Sequence, residues 1–66
     1  MLKNDVIKRL DELQGCEMVE FDLGNSIKRV VHLNYIQNYP DAEMLKLDMN
    51  NFKTLYCSIV SIHPFS

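Results

Sequence analysis

The run from Glu43 to Pro64, EMLKLDMNNFKTLYCSIVSIHP, narrows most what this chain can become. It reads as a strand over Met44 to Met49, a turn at Asn50-Asn51 and a second strand over Phe52 to Cys57. After a brief break comes a last strand with the pattern Ile-x-x-Ile-x-Pro. Short strands separated by tight turns pair antiparallel, because a parallel pair needs a long crossover between its strands. Such a cadence, ending on an apolar strand, is how small β-barrels close. It bounds the architecture and names no activity.

Upstream, the period of the apolar residues changes once. Leu2, Val6, Ile7, Leu10 and Leu13 recur at helical spacing, with Asn4 and Asp5 as N-cap candidates and Gly15 placed as the stop. This predicts an amphipathic helix over about 4–14, with Asp5-Arg9 and Lys8-Glu12 as i,i+4 ion pairs on its outer face. After Gly15 the period becomes two: Val19, Phe21 and Leu23 alternate with Glu20 and Asp22, a half-buried strand over 17–23. Gly24-Asn25 marks a hairpin. A three-residue loop there sets Asp22 beside Lys28, whereas a two-residue loop would set it beside Ile27, so the longer loop is expected. The second strand is the longest, 27–36, and Val30-Val31 breaks its alternation as a bulge or bend would. Gln37 to Ala42 form a turn cluster cornered at Pro40-Asp41. Strands over 43–49, 52–57 and 59–63 complete the chain.

The predicted fold is therefore mostly β, in the α+β class. An N-terminal helix precedes a four- or five-stranded antiparallel meander that closes as a small barrel. The alternative is an open antiparallel sheet with the helix on one face. A chain of 66 residues is a single domain, 1–66. Folding at this size removes only about 60% of the unfolded chain's surface from water, so self-association is the expected reinforcement. Two cysteines and no leader pattern after Met1 argue against a disulfide framework, and no apolar run approaches a membrane span. The expectation is a cytoplasmic protein. Net charge is −2, and the basic residues are scattered, with only Lys8-Arg9 and Lys28-Arg29 adjacent. Duplex DNA binding needs clustered cations and is disfavoured.

A helix followed by a meander with a long bent second strand, ending in Tyr56-Cys57-Ser58 and Ile59 to Pro64, resembles the Sm-like and SH3-like small β-barrels. Among these the pattern is nearest to the Sm-like bacterial RNA chaperones of the Hfq family. Leu23-Gly24-Asn25 lies where that family has its first hairpin, and Tyr56-Cys57-Ser58 where it has a Tyr-Lys-His motif. The resemblance implies a barrel and a ring of subunits with strands four and five paired between protomers. Cys57 and Ser58 stand in place of the residues that contact RNA, and Val30 stands about where a bending glycine is usual. The uridine pocket of the family is thus not implied.

Catalytic signals are few. Cys16, Cys57, His32 and His63 have the inventory of a zinc site but none of its paired spacing. Cys57 is expected in the core of the fourth strand and Cys16 partly exposed. His32 and His63 could act as bases, yet Ser58, Ser61 and Cys57 have no nucleophile motif around them. The carboxylates on strands alternate with core residues and read as solvated faces. The chain is predicted to be no enzyme and to need neither metal nor cofactor. Tyr35 and Tyr39 bracket a segment of amides, so two ring faces can stack bases or anchor a protein partner, unless Tyr35 covers the core. The expected binding residues are Tyr35, Asn38, Tyr39 and Tyr56, with Lys28, Arg29 and Lys53 as candidate phosphate contacts. Three functions follow as expectations. The first is a non-catalytic protein-interaction module, an adaptor, regulator or inhibitor, that self-associates. The alternative is an Sm-like ring binding single-stranded RNA or a nucleotide. A third is a phage-type accessory protein that sequesters a host factor.

Overall fold

Helix α1 (Lys3–Glu12) opens the chain in the computed structural model, which describes residues 1–65. Val6 and Leu13 face inward and are buried, with Leu10 packed beside them, while Leu2 and Ile7 lie off that stripe and stay exposed. Neither Asn4 nor Asp5 caps the helix. Leu2 holds the cap position without a side-chain bond, and the acid of Asp5 falls in the first turn, where it suits the helix dipole. The helix also ends sooner than predicted: Leu13 N–H is shared between the carbonyls of Arg9 and Leu10, and Cys16 N–H returns to Leu13 at 2.9 Å. Gly15 has no positive φ, so it is not a left-handed stop.

Strand β1 (Met18–Asp22) buries Val19 and Phe21 and turns Met18, Glu20 and Asp22 outward, as alternation dictates. The loop Gly24-Asn25-Ser26 has positive φ at all three residues, +81°, +53° and +63°. Leu23 N–H donates to Ile27 O at 2.9 Å and Asp22 pairs with Lys28, the register expected of a three-residue loop. Strand β2 (Lys28–His32) then pairs with β1 without interruption to Met18↔His32.

Val30-Val31 is therefore not a bulge. The bend comes later, in a 3-10 turn over Leu33–Tyr35, where the His32 ring nitrogen Nδ1 accepts from Asn34 N–H at 3.2 Å. That turn splits the predicted strand 27–36 and delivers the chain to β3 (Gln37–Asn38), in a different sheet. Strands β4 (Met44–Lys46) and β5 (Lys53–Leu55) are shorter than the predicted 43–49 and 52–57. The Asn50-Asn51 turn is a wider loop closed by Asp48, whose Oδ1 accepts from Asn50 N–H at 2.9 Å and Phe52 N–H at 3.3 Å. A second 3-10 turn, Tyr56–Ser58, breaks the fourth predicted strand, leaving Cys57 exposed rather than in the core. The last strand, β6 (Ser61–Phe65), runs two residues beyond the predicted 59–63.

The ladders form two three-stranded antiparallel sheets, β2-β1-β6 and β3-β4-β5. Among the described residues no ladder joins one sheet to the other, so the predicted closed barrel does not form. A single open sheet does not form either. The two 3-10 turns are the physical reason, since each takes three residues out of extended backbone at a corner where a closed meander would continue its ladder. Helix α1 packs against β6 and the second 3-10 turn. Arg9 Nε donates to Ile62 O on edge strand β6 at 2.8 Å, and the Met1 ammonium donates to the carbonyls of Tyr56 and Ile59. Arg9 also meets Glu12 at 3.5 Å, in place of the predicted pair with Asp5. One core lies between helix and sheets, formed by Val6, Val19, Phe21, Leu45, Leu47, Ile59 and Ile62 with Leu13, Val31 and Tyr56.

Candidate functional site

The outer face of the second sheet follows from its register. Asn38, Leu45 and Thr54 align across it, and Leu45 and Thr54 point inward and are buried. Their neighbours must then point outward. Gln37, Lys46 and Lys53 form one outward row, and Met44 and Leu55 form the next, extended by Tyr39, whose N–H donates to Met44 O at 3.4 Å. A cationic row thus borders an apolar one, with Tyr39 37% and Leu55 41% exposed.

Lys46 and Lys53 stand directly opposite each other, an arrangement that like-charge repulsion disfavours. Among the described residues no carboxylate lies within ion-pair distance of either. Lys53 Nζ sits 4.0 Å from the Tyr39 ring centroid, a cation–π contact. Hydrogen bonding from Lys53, then its charge, holds the Tyr39 hydroxyl below the usual tyrosine range, and Lys46 adds to the effect.

The other expected residues lie elsewhere. Tyr35 is exposed, as Tyr39 is, but its ring tilts against His32 with centroids 5.2 Å apart. Tyr56 is 4% exposed, so its ring belongs to the core and offers no face for stacking. Its hydroxyl donates to Asn38 Oδ1, and burial raises its pKa. Lys28 lies 4.0 Å from Glu20 on the outer face of the first sheet. Arg29 donates to Asp48 Oδ2 from Nε at 3.0 Å and from Nη2, and its guanidinium stacks 3.9 Å over the Phe52 ring. That bond is the main reason the Asp48 carboxyl falls below its ordinary range, with help from the Phe52 and Asn50 amides. Arg29 is thus a clamp between β2 and the β4–β5 loop. Of the seven expected residues, the structure brings Tyr39 and Lys53 together on one face. Sequence reasoning missed Lys46, Met44, Leu55 and Gln37. The reason is loop length: an Asn50-Asn51 turn between the predicted strands sets 46 beside 55, whereas the loop over 48–51 pairs 46 with 53.

Two further features have chemistry in them. Ser61 Oγ and His63 Nε2 are 2.8 Å apart on β6, Ser61 half-buried and His63 exposed, and among the described residues no third group is hydrogen-bonded to the imidazole. An open cleft of about 260 Å³ lies between α1 and the first 3-10 turn, lined by Ile7, Leu10, Leu33 and Ile36 with Asp11, Gln14 and Asn38 at its rim. Among the described residues no cluster of three His, Cys, Asp or Glu could hold a metal ion, and no helix is long and apolar enough to cross a membrane. Compared with known proteins, the chain matches no family model, no curated sequence and no solved structure.

Proposed function

We propose that this chain is a non-catalytic, self-associating cytoplasmic module that acts by binding another protein on the outer face of the β3-β4-β5 sheet. One observation carries the reading: exposed Tyr39 and Leu55 and half-buried Met44 form an apolar row beside two lysines that have no carboxylate partner among the described residues. Tyrosine is among the residues enriched in interaction hot spots, and methionine is enriched at interfaces. Element order supports describing the fold as an open variant of the SH3-like and Sm-like plan. An N-terminal helix precedes a run of short antiparallel strands, and the chain passes from one three-stranded sheet to the other after β2.

The test is capture from native lysate on the immobilised chain, with and without nuclease. A protein partner retained after nuclease, and lost when Tyr39→Ala and Leu55→Ser are combined in a variant with unchanged circular dichroism, is the expected result. Recovery of RNA alone overturns the proposal.

The unneutralised Lys46–Lys53 pair favours a second reading, an oligomeric ring binding single-stranded RNA or a nucleotide. It predicts a closed oligomer with an elevated 260/280 nm absorbance ratio. A monomer free of nucleic acid by light scattering removes it.

A further inference from the structure

Strand β5 ends the β3-β4-β5 sheet, and hydrogen-bond parity shows which of its backbone groups are spare. Leu47 N–H donates to Phe52 O at 2.7 Å, and Tyr56 N–H donates to Glu43 O at 3.1 Å. Bonded pairs alternate in an antiparallel ladder, so Thr54 faces β4 while the N–H and C=O groups of Lys53 and Leu55 point to the open side. Among the described residues neither the Lys53 nor the Leu55 N–H has a backbone partner beyond that ladder. Among the described residues the Leu55 carbonyl receives the Thr54 hydroxyl alone, at 3.4 Å.

We propose that the β5 edge is a docking site for an extended acidic segment of a partner protein, which adds to the sheet as a fourth strand. Resting on the binding face proposed above, this assignment names the chemistry of the partner. Backbone pairing to Lys53 and Leu55 supplies the generic attraction, and side chains at alternate positions supply selectivity. A residue of the added strand opposite Lys53 extends the Gln37–Lys46–Lys53 row. A carboxylate there meets Lys53 directly, and the long flexible side chain of Lys46 reaches it from the next strand. A residue two positions along lies opposite Leu55, extending the Met44–Leu55 row by one strand, and is best apolar. The matching segment alternates in the sense acid-x-apolar, with the acid on the lysine row.

Charge decides against a second copy of this chain as occupant. The outward residues on the other edge strands are Lys28, Val30 and His32 on β2, Gln37 on β3, and Ser61, His63 and Phe65 on β6. None is a carboxylate. Self-pairing at these edges sets no carboxylate opposite Lys53. Glu20 and Asp22 lie one strand further in, on β1, where Glu20 meets Lys28 and Asp22 accepts from Gly24 N–H. An acidic strand sets a carboxylate directly beside Lys53. Nucleic acid is less well served, since the Lys53 ammonium already covers one face of Tyr39 and Tyr56 is in the core.

The experiment uses the full chain and four labelled probes. These are an eight-residue peptide of sequence Asp-Ser-Val-Ser-Asp-Ser-Val-Ser, which sets acid and apolar residues alternately on one face, its counterpart with Lys for Asp, the acidic peptide N-methylated on the amides that would pair, and an eight-nucleotide oligouridylate. Fluorescence anisotropy should show the acidic peptide binding and weakening as salt rises. Combining Lys46→Glu and Lys53→Glu should weaken it roughly five- to tenfold, the size expected of two exposed ion pairs, and turn the preference to the lysine peptide. Amide exchange should slow at Lys53 and Leu55 on binding. Equal affinity for the two peptides, undiminished binding of the N-methylated probe, or protection confined to other strands each overturns the assignment. If the acidic peptide fails while a nuclease-resistant partner is still lost with Tyr39 and Leu55, this inference falls alone. If oligouridylate binds more tightly than the acidic peptide, the protein-binding reading falls with it.

Discussion

Arg29 joins parts of the chain far apart in sequence, because one guanidinium serves both Asp48 and the Phe52 ring. A planar cation can stack on an aromatic face while its edge donates to a carboxylate, which lysine cannot reproduce. Arg29→Lys is expected to lower the midpoint of thermal unfolding by a few degrees, read by circular dichroism. The pH dependence has a definite sign. The folded-state pKa of Asp48 is depressed, so its stabilising contribution is complete above the unfolded carboxylate value of about 4 and is lost as pH falls through the lower folded value. Unfolding midpoints followed from pH 6 to pH 2 should fall less steeply in Asp48→Asn than in the parent chain. Equal slopes would show that the carboxylate contributes nothing to acid sensitivity.

At the scale of elements, the two glycines predict opposite outcomes. Gly24 has φ +81° in the β1–β2 loop, where an L side chain is strained even though an added Cβ would only touch Val60 Cγ2 at 3.6 Å. Gly24→Ala should cost about 1–2 kcal/mol. Gly15 has no positive φ and nothing within 4 Å of an added Cβ. Gly15→Ala should stabilise by about 0.4–1 kcal/mol through the unfolded chain. Urea midpoints of the two variants against the parent check both signs. The β1–β2 hairpin was legible in the sequence because loop chemistry and the Asp22–Lys28 pairing point to one register. The bend after β2 was not, since His32, Leu33, Asn34 and Tyr35 continue a plausible strand. Only the anchoring of Asn34 N–H on the His32 ring and the packing of Leu33 against the core favour a 3-10 turn.

For the whole molecule, the small size of the core dominates. Stability of about 0.05–0.15 kcal/mol per residue gives a chain of this length only several kcal/mol in all. Phe21 is fully buried, and Phe21→Ala should cost about 3–5 kcal/mol, enough to abolish cooperative unfolding at 25 °C. Loss of dispersion in the amide proton spectrum is the readout, and a native-like spectrum would show that the core can repack around the gap. Helix α1 belongs to this core. Val6 and Leu13 fill it, while Arg9 and the Met1 ammonium hold the helix to the carbonyls of β6 and the second 3-10 turn.

Local rules determined the helix, the alternation of β1, the three-residue loop and the antiparallel sense of the pairs joined by short loops, because each depends on neighbours a few positions apart, whereas the pairing of β1 with β6 is long-range. The tertiary structure alone decided that the strands divide into two sheets instead of closing, that Tyr56 is core and Cys57 surface, and that Lys46 faces Lys53. Each of those depends on where a 3-10 turn interrupts the backbone or on the exact length of a loop. A change of one residue in either reverses which side chains meet water, and no pattern of residue types records it.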